Sequence, residues 1–200
     1  MVTADQVAAL RRAVASDGAA TSDFDLNPDV RLPEGRTLRP AGVLCAFQPG
    51  PSGLDLVLTK RSSRLKHHPG QIAFPGGKQD EGDADVMAAA LREAREEVGL
   101  APSSVEVLGT LPCHETVTGF LVTPVVGLIT EPFSPVPELG EVEEVFTVPF
   151  SHVMDPERYT VQGRRWRGQR RHYFTAPFGP YYVWGATARM LRVLADRVSA

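Results

Sequence analysis

Gly76 and Gly77 stand between a short apolar stretch, Gln71 to Phe74, and a helical pattern that runs from Asp85 to Val98 and stops at Gly99. Adjacent glycines let the backbone turn sharply and approach a ligand closely, and Gly99 is a natural helix terminator. Strand-like segments lie on both sides of this unit: Ala41 to Phe47, Leu54 to Thr59, Val105 to Leu111, Val122 to Ile129 and Val142 to Val148. Amphipathic helices are expected at Ala4 to Ala15 and at Gly185 to Val198. Strands before and after one central helix, with a closing helix, predict a mixed sheet between helices.

The central helix carries an unusual face. At about 100° per residue, Glu93, Glu96 and Glu97 fall within one arc of roughly 100°. Met87, Ala90, Leu91, Ala94 and Val98 take the opposite side and are expected to pack on the sheet. Three carboxylates on one face repel each other, and in the last turns the helix dipole disfavours each by roughly 0.3–1 kcal/mol. A bound cation reverses both penalties, and carboxylate oxygens suit Mg²⁺ or Mn²⁺. The alternative is a solvated acidic face with Arg92 pairing Glu96 at i,i+4. The preceding glycines favour the metal, because a turn at Gly77 could add a backbone carbonyl.

The rest of the chain narrows the function class. An apolar fraction of 42% and a charged fraction of 22% are those of a folded chain, not a disordered one. The net charge of −3 gives no global attraction to nucleic acid or to an anionic membrane. Two cysteines, Cys45 and Cys113, suggest neither a metal knuckle nor a disulfide framework. The opening MVTADQVAALRRAVAS is too polar for a signal peptide, and no apolar run reaches spanning length, so the cytoplasm is expected. Residues 1–38 read as a helix and an extended lead-in, and 39–200 as the main domain. A hairpin is expected over Arg158 to Trp166 and Arg170 to Ala176, turning at Arg167-Gly168-Gln169. Its arginines, Arg164, Arg165, Arg167, Arg170 and Arg171, read as a solvated hairpin, because no stacking aromatic series accompanies them.

The glycine turn and helix resemble the Nudix box: a glycine, five residues, an acid, a spacer, then Arg-Glu-apolar-X-Glu-Glu-X-Gly-apolar. Gly77 is the glycine and Asp83 stands where the family usually has Glu; Arg92, Glu93, Glu96, Glu97, Gly99 and Leu100 match the second half, with Ala94 in the apolar slot. Eight residues separate Asp83 from Arg92, one more than in the usual box. The resemblance implies an α/β fold, the Nudix α/β/α sandwich with a mixed sheet. It also implies a metal-dependent hydrolase in which Glu96 and Glu97 are ligands, Glu93 binds metal or helps deprotonate the attacking water, and Arg92 holds a glutamate by a salt bridge.

The segment Leu58 to Gly77 is similar to the extra motif of the coenzyme A pyrophosphatase branch, which shares the longer box and an Asp near Asp80. Thr118-Gly119-Phe120, Glu141 to Phe146 and Trp184 to Ala188 agree. The resemblance implies hydrolysis of coenzyme A or its derivatives to 3′,5′-ADP and 4′-phosphopantetheine. The expected partner is thus a small molecule, not nucleic acid or a membrane, and the chain a monomer or homodimer. Coenzyme A carries a diphosphate and a separate 3′-phosphate, and both need cationic or hydrogen-bonding partners. Arg61, Arg64, His68 and Gln71 are the candidates, Lys66 lies beside them in the same basic segment, and His67 reads as surface. Glu141 is the candidate additional acid or ligand, and Glu144 its competitor. Two rival functions remain: hydrolysis of another nucleoside diphosphate derivative such as ADP-ribose, and a non-catalytic nucleotide-binding domain. The presence of all three box glutamates speaks against the latter.

Overall fold

The computed structural model describes residues 2–30, 35–166 and 168–200. In chain order they form α1 (Val2–Ala15), β1 (Thr21–Ser22), β2 (Arg39–Gly50), β3 (Gly53–Arg61), β4 (Ile72–Ala73), β5 (Gly76–Lys78) and α2 (Val86–Val98). Then come β6 (Val105–Thr110), β7 (His114–Glu115), β8 (Phe120–Ile129), β9 (Val142–Pro149), the one-turn α3 (Phe150–Val153), β10 (Thr160–Trp166), β11 (Gln169–Thr175) and α4 (Gly185–Ser199).

Strand β2 is the hub. It runs parallel to β8, from Arg39↔Phe120 to Phe47↔Leu128, and antiparallel to β3 and β5. The sheet continues through β7 to β1 on one side and through β3 to β4 and β9 on the other, while β6 also pairs β8. Parallel and antiparallel pairs in one sheet make it mixed, as expected. Alternation along the central strands divides the core in two. Leu44, Ala46, Val57 and Val125 face α2, where Ala90, Ala94 and Val98 are fully buried. Cys45, Phe47, Leu56, Leu58 and Val126 face the other way, onto α1 (Leu10, Ala13) and α4 (Leu191, Leu194, Ala195). Helices on both faces of a mixed sheet are the α/β/α sandwich the sequence predicts.

The α2 face is built for close approach. Its contact residues are chiefly alanines, and a Cβ at Gly42 on β2 would come within 2.0 Å of the Val86 carbonyl oxygen. Asp85 is the N-cap, not the first helical residue: its carboxylate accepts from the N–H groups of Met87 at 2.9 Å and Ala88 at 2.8 Å. Gly99 closes the helix in the left-handed region at φ 76°. Leu91 is half-buried against the same core, so the phase of the helix is as the apolar pattern predicts.

Three differences from the sequence reading have plain causes. The expected strand from Gln71 to Phe74 shrinks to Ile72–Ala73, because Pro75 has no N–H to continue a ladder. The chain then pairs again as β5, through the two glycines themselves. The lead-in is not simply extended: Thr21–Ser22 forms β1, parallel to β7. The hairpin is present as β10 and β11, in register from Thr160↔Thr175 to Trp166↔Gln169, while Arg167 at its expected turn lies outside the described residues.

Candidate functional site

The glycine turn meets α2 at its C-terminal half. Gly76 has φ 152°, and a Cβ there would lie 2.5 Å from the Gly42 carbonyl oxygen, so only glycine fits. Gly77 pairs with Gly42, and a Cβ on it would press to 2.5 Å from a Glu93 carboxylate oxygen. The turn thus lies directly against the acidic face.

Glu97 is only 5% exposed, and its carboxylate accepts from the Gly76 N–H at 3.0 Å. Burial pushes its pKa up to about 7; the Gly76 N–H and the Arg61 guanidinium oppose the rise, and the charges of Glu93 and Glu141 add to it. Glu93 is half-buried and likewise pushed up by desolvation; Arg92 opposes this, and Glu96 and Glu141 reinforce it. Glu96 is exposed and accepts from Arg92 at 2.9 Å.

Arg92 is the organiser of this end. Its guanidinium holds Asp83 through two hydrogen bonds, Nε to Oδ1 at 2.9 Å and Nη2 to Oδ2 at 3.0 Å. It also donates to Glu93 at 3.1 Å and to the Lys78 carbonyl at 3.2 Å. Asp83 therefore anchors the loop before the helix to the acidic face. Its carboxyl is held below the usual range, first by Arg92 and then by the Asp80 N–H. Arg92 and Asp83 make this fork across the eight residues that separate them.

Four carboxylates within electrostatic reach, with no sulfur or imidazole among them, form the oxygen donor set that suits a hard divalent cation. Among the described residues, no three metal-ligating side chains converge closely enough to enclose an ion. Glu93 and Glu96 are engaged by Arg92 instead. The chemistry nevertheless fits a cation: a carboxylate as buried as Glu97 is stable as an anion only beside positive charge. Glu141 is exposed at the edge of β9, and its charge reaches both Glu93 and Glu97. Glu144 points elsewhere and accepts from the Tyr181 hydroxyl, whose ring stacks on Phe146.

The basic segment closes into a loop. Arg61 N–H donates to the Gln71 carbonyl at 2.9 Å, and Gly70 N–H returns to the Arg61 carbonyl at 3.0 Å. His68 sits in the left-handed region at φ 54°, which is uncommon for a residue with a Cβ. Partial desolvation and the nearby Arg61 push its pKa down, and it hydrogen-bonds the Gln71 side chain. His68 and Gln71 line a cavity of about 470 Å³. Arg61 is half-buried, and its charge acts on both His68 and Glu97. Arg64 is exposed and does not line the cavity.

The remaining cavity wall comes from segments in which the sequence named no site residue, although Thr118 and Trp184 stand in stretches that share the resemblance. Asp23 and Asn27 enter from the lead-in, Thr116 to Thr118 from the β7–β8 turn, and Tyr173 and Trp184 as an edge-to-face ring pair with centroids 5.1 Å apart. Asn27 donates to the carbonyls of Asp23 at 3.0 Å and His172 at 2.9 Å, and accepts from the His172 N–H at 2.8 Å. His114 is fully buried, with one ring nitrogen on Thr21 at 2.9 Å and the other on Asp23 at 3.2 Å. No local signal marks Asp23, Asn27 or His114.

The glycine turn, the Arg-Glu pair and the Glu-Glu pair coincide with the NUDIX domain model, which matches residues 38–171. The chain belongs to the Nudix hydrolase family. Among curated Nudix relatives, a protein of Citrobacter koseri named as an uncharacterized Nudix hydrolase NudL is 47% identical over 143 residues, 72% of this chain and 74% of its own length. The protein of the same name from Enterobacter sp. strain 638 is 45% identical over 151 residues, 76% of each chain. Among solved structures, the Nudix hydrolase RenU of M. smegmatis is similar with a TM-score of 0.47 and 25% identity, over 58% of this chain and 80% of its own. A MutT/nudix family protein of Enterococcus faecalis has a TM-score of 0.49 and 14% identity, over 86% of this chain and 66% of its own. Among the described residues no helix is long and apolar enough to cross a membrane.

Proposed function

We propose that this Nudix hydrolase acts in the cytoplasm and cleaves the diphosphate linkage of coenzyme A or its derivatives, giving 3′,5′-ADP and 4′-phosphopantetheine. One observation supports the reading: His68 and Gln71, both in the motif before the glycine turn, line a cavity, and Arg61 of the same motif acts by its charge on both His68 and Glu97. A diphosphate substrate would set its charge at the acids and its nucleoside or pantetheine part in the cavity.

Mg²⁺ or Mn²⁺ would be held by Glu93, Glu96, Glu97 and the Gly77 carbonyl, supplying charge neutralisation and water activation. The chain's own residues do the rest. Gly76 donates its N–H to Glu97 and fixes that carboxylate. Arg92 holds Glu93 and Glu96 against Asp83, which keeps the acidic face assembled before substrate arrives. Glu93 and Glu141 are the candidates for taking the proton from the attacking water, since both act on the field at this end. Arg61 faces the diphosphate, where its charge also restrains Glu97.

Product analysis after incubation with coenzyme A and Mn²⁺ in ¹⁸O-labelled water tests the proposal. The expected result is 3′,5′-ADP and 4′-phosphopantetheine, with label in one of the two. Intact coenzyme A beside rapid hydrolysis of ADP-ribose would transfer the assignment to another nucleoside diphosphate derivative.

A further inference from the structure

We propose that Asp23 accepts a hydrogen bond from the exocyclic amine of a purine base in the cavity, and so selects the nucleoside half of the substrate. In coenzyme A that base is adenine, and to that extent the inference rests on the reading above.

Asp23 is held in place by contacts from beyond its own segment. Its N–H donates to the Glu115 carbonyl at 2.9 Å. One carboxylate oxygen accepts from the Val117 N–H at 2.8 Å, and the other faces Nε2 of His114 at 3.2 Å. A carboxylate only accepts, so that ring nitrogen is the donor. The Thr21 hydroxyl completes the other side of the ring at 2.9 Å. Strands β1 and β7 run parallel with Thr21 opposite His114, so strand register and side-chain bonds fix the same geometry. The imidazole is fully buried and does not line the cavity. Its place in this network is to orient Asp23.

The carboxylate is then an acceptor fixed before any ligand arrives. A carboxylate has about four lone-pair sites, so two contacts leave acceptor capacity free. Asp23 lines the cavity, with 22% of its side chain exposed. Among the described lining residues it is the only acid. Like charges set side by side are costly, so this corner turns phosphate away and takes an uncharged donor. Its charge also reaches His68, on the loop before the glycine turn.

The neighbouring rings decide which donor. Tyr173 and Trp184 line the same cavity, and Asp23, Tyr173 and Gly185 also line a small hollow beside it. Acid and aromatic pair therefore share one wall. Bases stack on aromatic side chains, and a stacked base presents its polar edge to whatever borders the ring. A ribose hydroxyl or a pantetheine amide also donates, but neither carries an aromatic face. A purine amine supplies donor and face together.

The test compares nucleotides that differ only in the amine. Isothermal titration of the parent should show 5′-AMP binding about tenfold or more tighter than purine riboside 5′-monophosphate, which lacks the 6-amino group. In Asp23→Ala that preference should vanish, with affinity for the purine riboside nucleotide within about twofold of the parent's. Asp23→Asn keeps the shape with a weaker acceptor and should cut the preference by about threefold or more. It serves if the Ala variant loses its thermal transition. A parent that binds both nucleotides equally, a variant that keeps the full preference, or equal loss on both ligands overturns the assignment. If the parent instead favours 5′-GMP over 5′-IMP through Asp23 and ignores the amine of 5′-AMP, the amine seat stands and the coenzyme A reading falls. If coenzyme A is cleaved while Asp23→Ala discriminates like the parent, the reverse holds.

Discussion

The two ends of the site are built on opposite plans. At the acidic end, one arginine grips Asp83, Glu93 and Glu96, and one backbone N–H grips Glu97, so the carboxylates are fixed by contacts a few turns away. At the basic end, the cavity is walled by the tips of five separate segments, and one staple, Asn27, ties the lead-in to the hairpin. The acidic end is rigid and carries net negative charge that invites a cation. The basic end is open and is assembled from segments far apart in the chain. Chemistry and selection should therefore respond separately to mutation.

The sharpest test is Glu97→Gln. If the buried carboxylate serves a metal, turnover should fall by about 100-fold or more. Stability should move the other way without metal. An acid whose folded pKa lies above its unfolded value destabilises the fold as pH rises through the interval between them, here from 4.5 to about 7. At pH 8 the metal-free variant should be as stable as the parent or more so, by up to about 3 kcal/mol. Saturating Mn²⁺ should raise the Tm of the parent more than that of the variant. Near-parental turnover with an equal metal-induced shift would remove Glu97 from the ligand set.

Asn27→Ala addresses the opposite end. It leaves the half-buried His172 N–H and carbonyl without this partner, at a cost of about 1 kcal/mol. KM should rise while kcat at saturation stays within about twofold. A fall in kcat with KM unchanged would mean that the two ends are mechanically coupled. Asp85→Ala should cost about 1 kcal/mol by uncapping α2, seen as a lower Tm with unchanged preference between coenzyme A and dephospho-coenzyme A. The smallest effect belongs to Arg64→Ala, whose exposed side chain should alter stability by no more than about 0.5 kcal/mol and leave KM nearly unchanged. A clear rise in KM would return Arg64 to the substrate-binding set.

The same contrast governs what could be read from the chain. The acidic end is local: Gly76 and Glu97 are 21 residues apart and Arg92 and Asp83 only 9, so one short motif contains them all, although the bond from Gly76 to Glu97 and the fork from Arg92 to Asp83 appear only in the structure. The sandwich was legible for a similar reason, since the strands alternate and α2 carries one apolar stripe between a capping Asp and a terminating Gly. Asn27 and His172 are 145 residues apart, and nothing near either marks the bond. Strands as short as β1 and β7 carry no periodicity to detect. The arginines of the hairpin were visible as composition, but which of them face inward is decided by register against a cavity whose other walls come from elsewhere.

The span matched by the family model, residues 38–171, omits both α1 and α4. Those helices supply Leu10, Ala13, Leu191, Leu194 and Ala195, which cover Phe47, Leu56 and Leu58 on one side of the sheet. A fragment trimmed to that span would present a bare oily face and an interior imidazole at His114 stripped of both its companions. Such a piece should clump, not catalyse. In this protein the recognisable module and the smallest soluble unit are different lengths of chain.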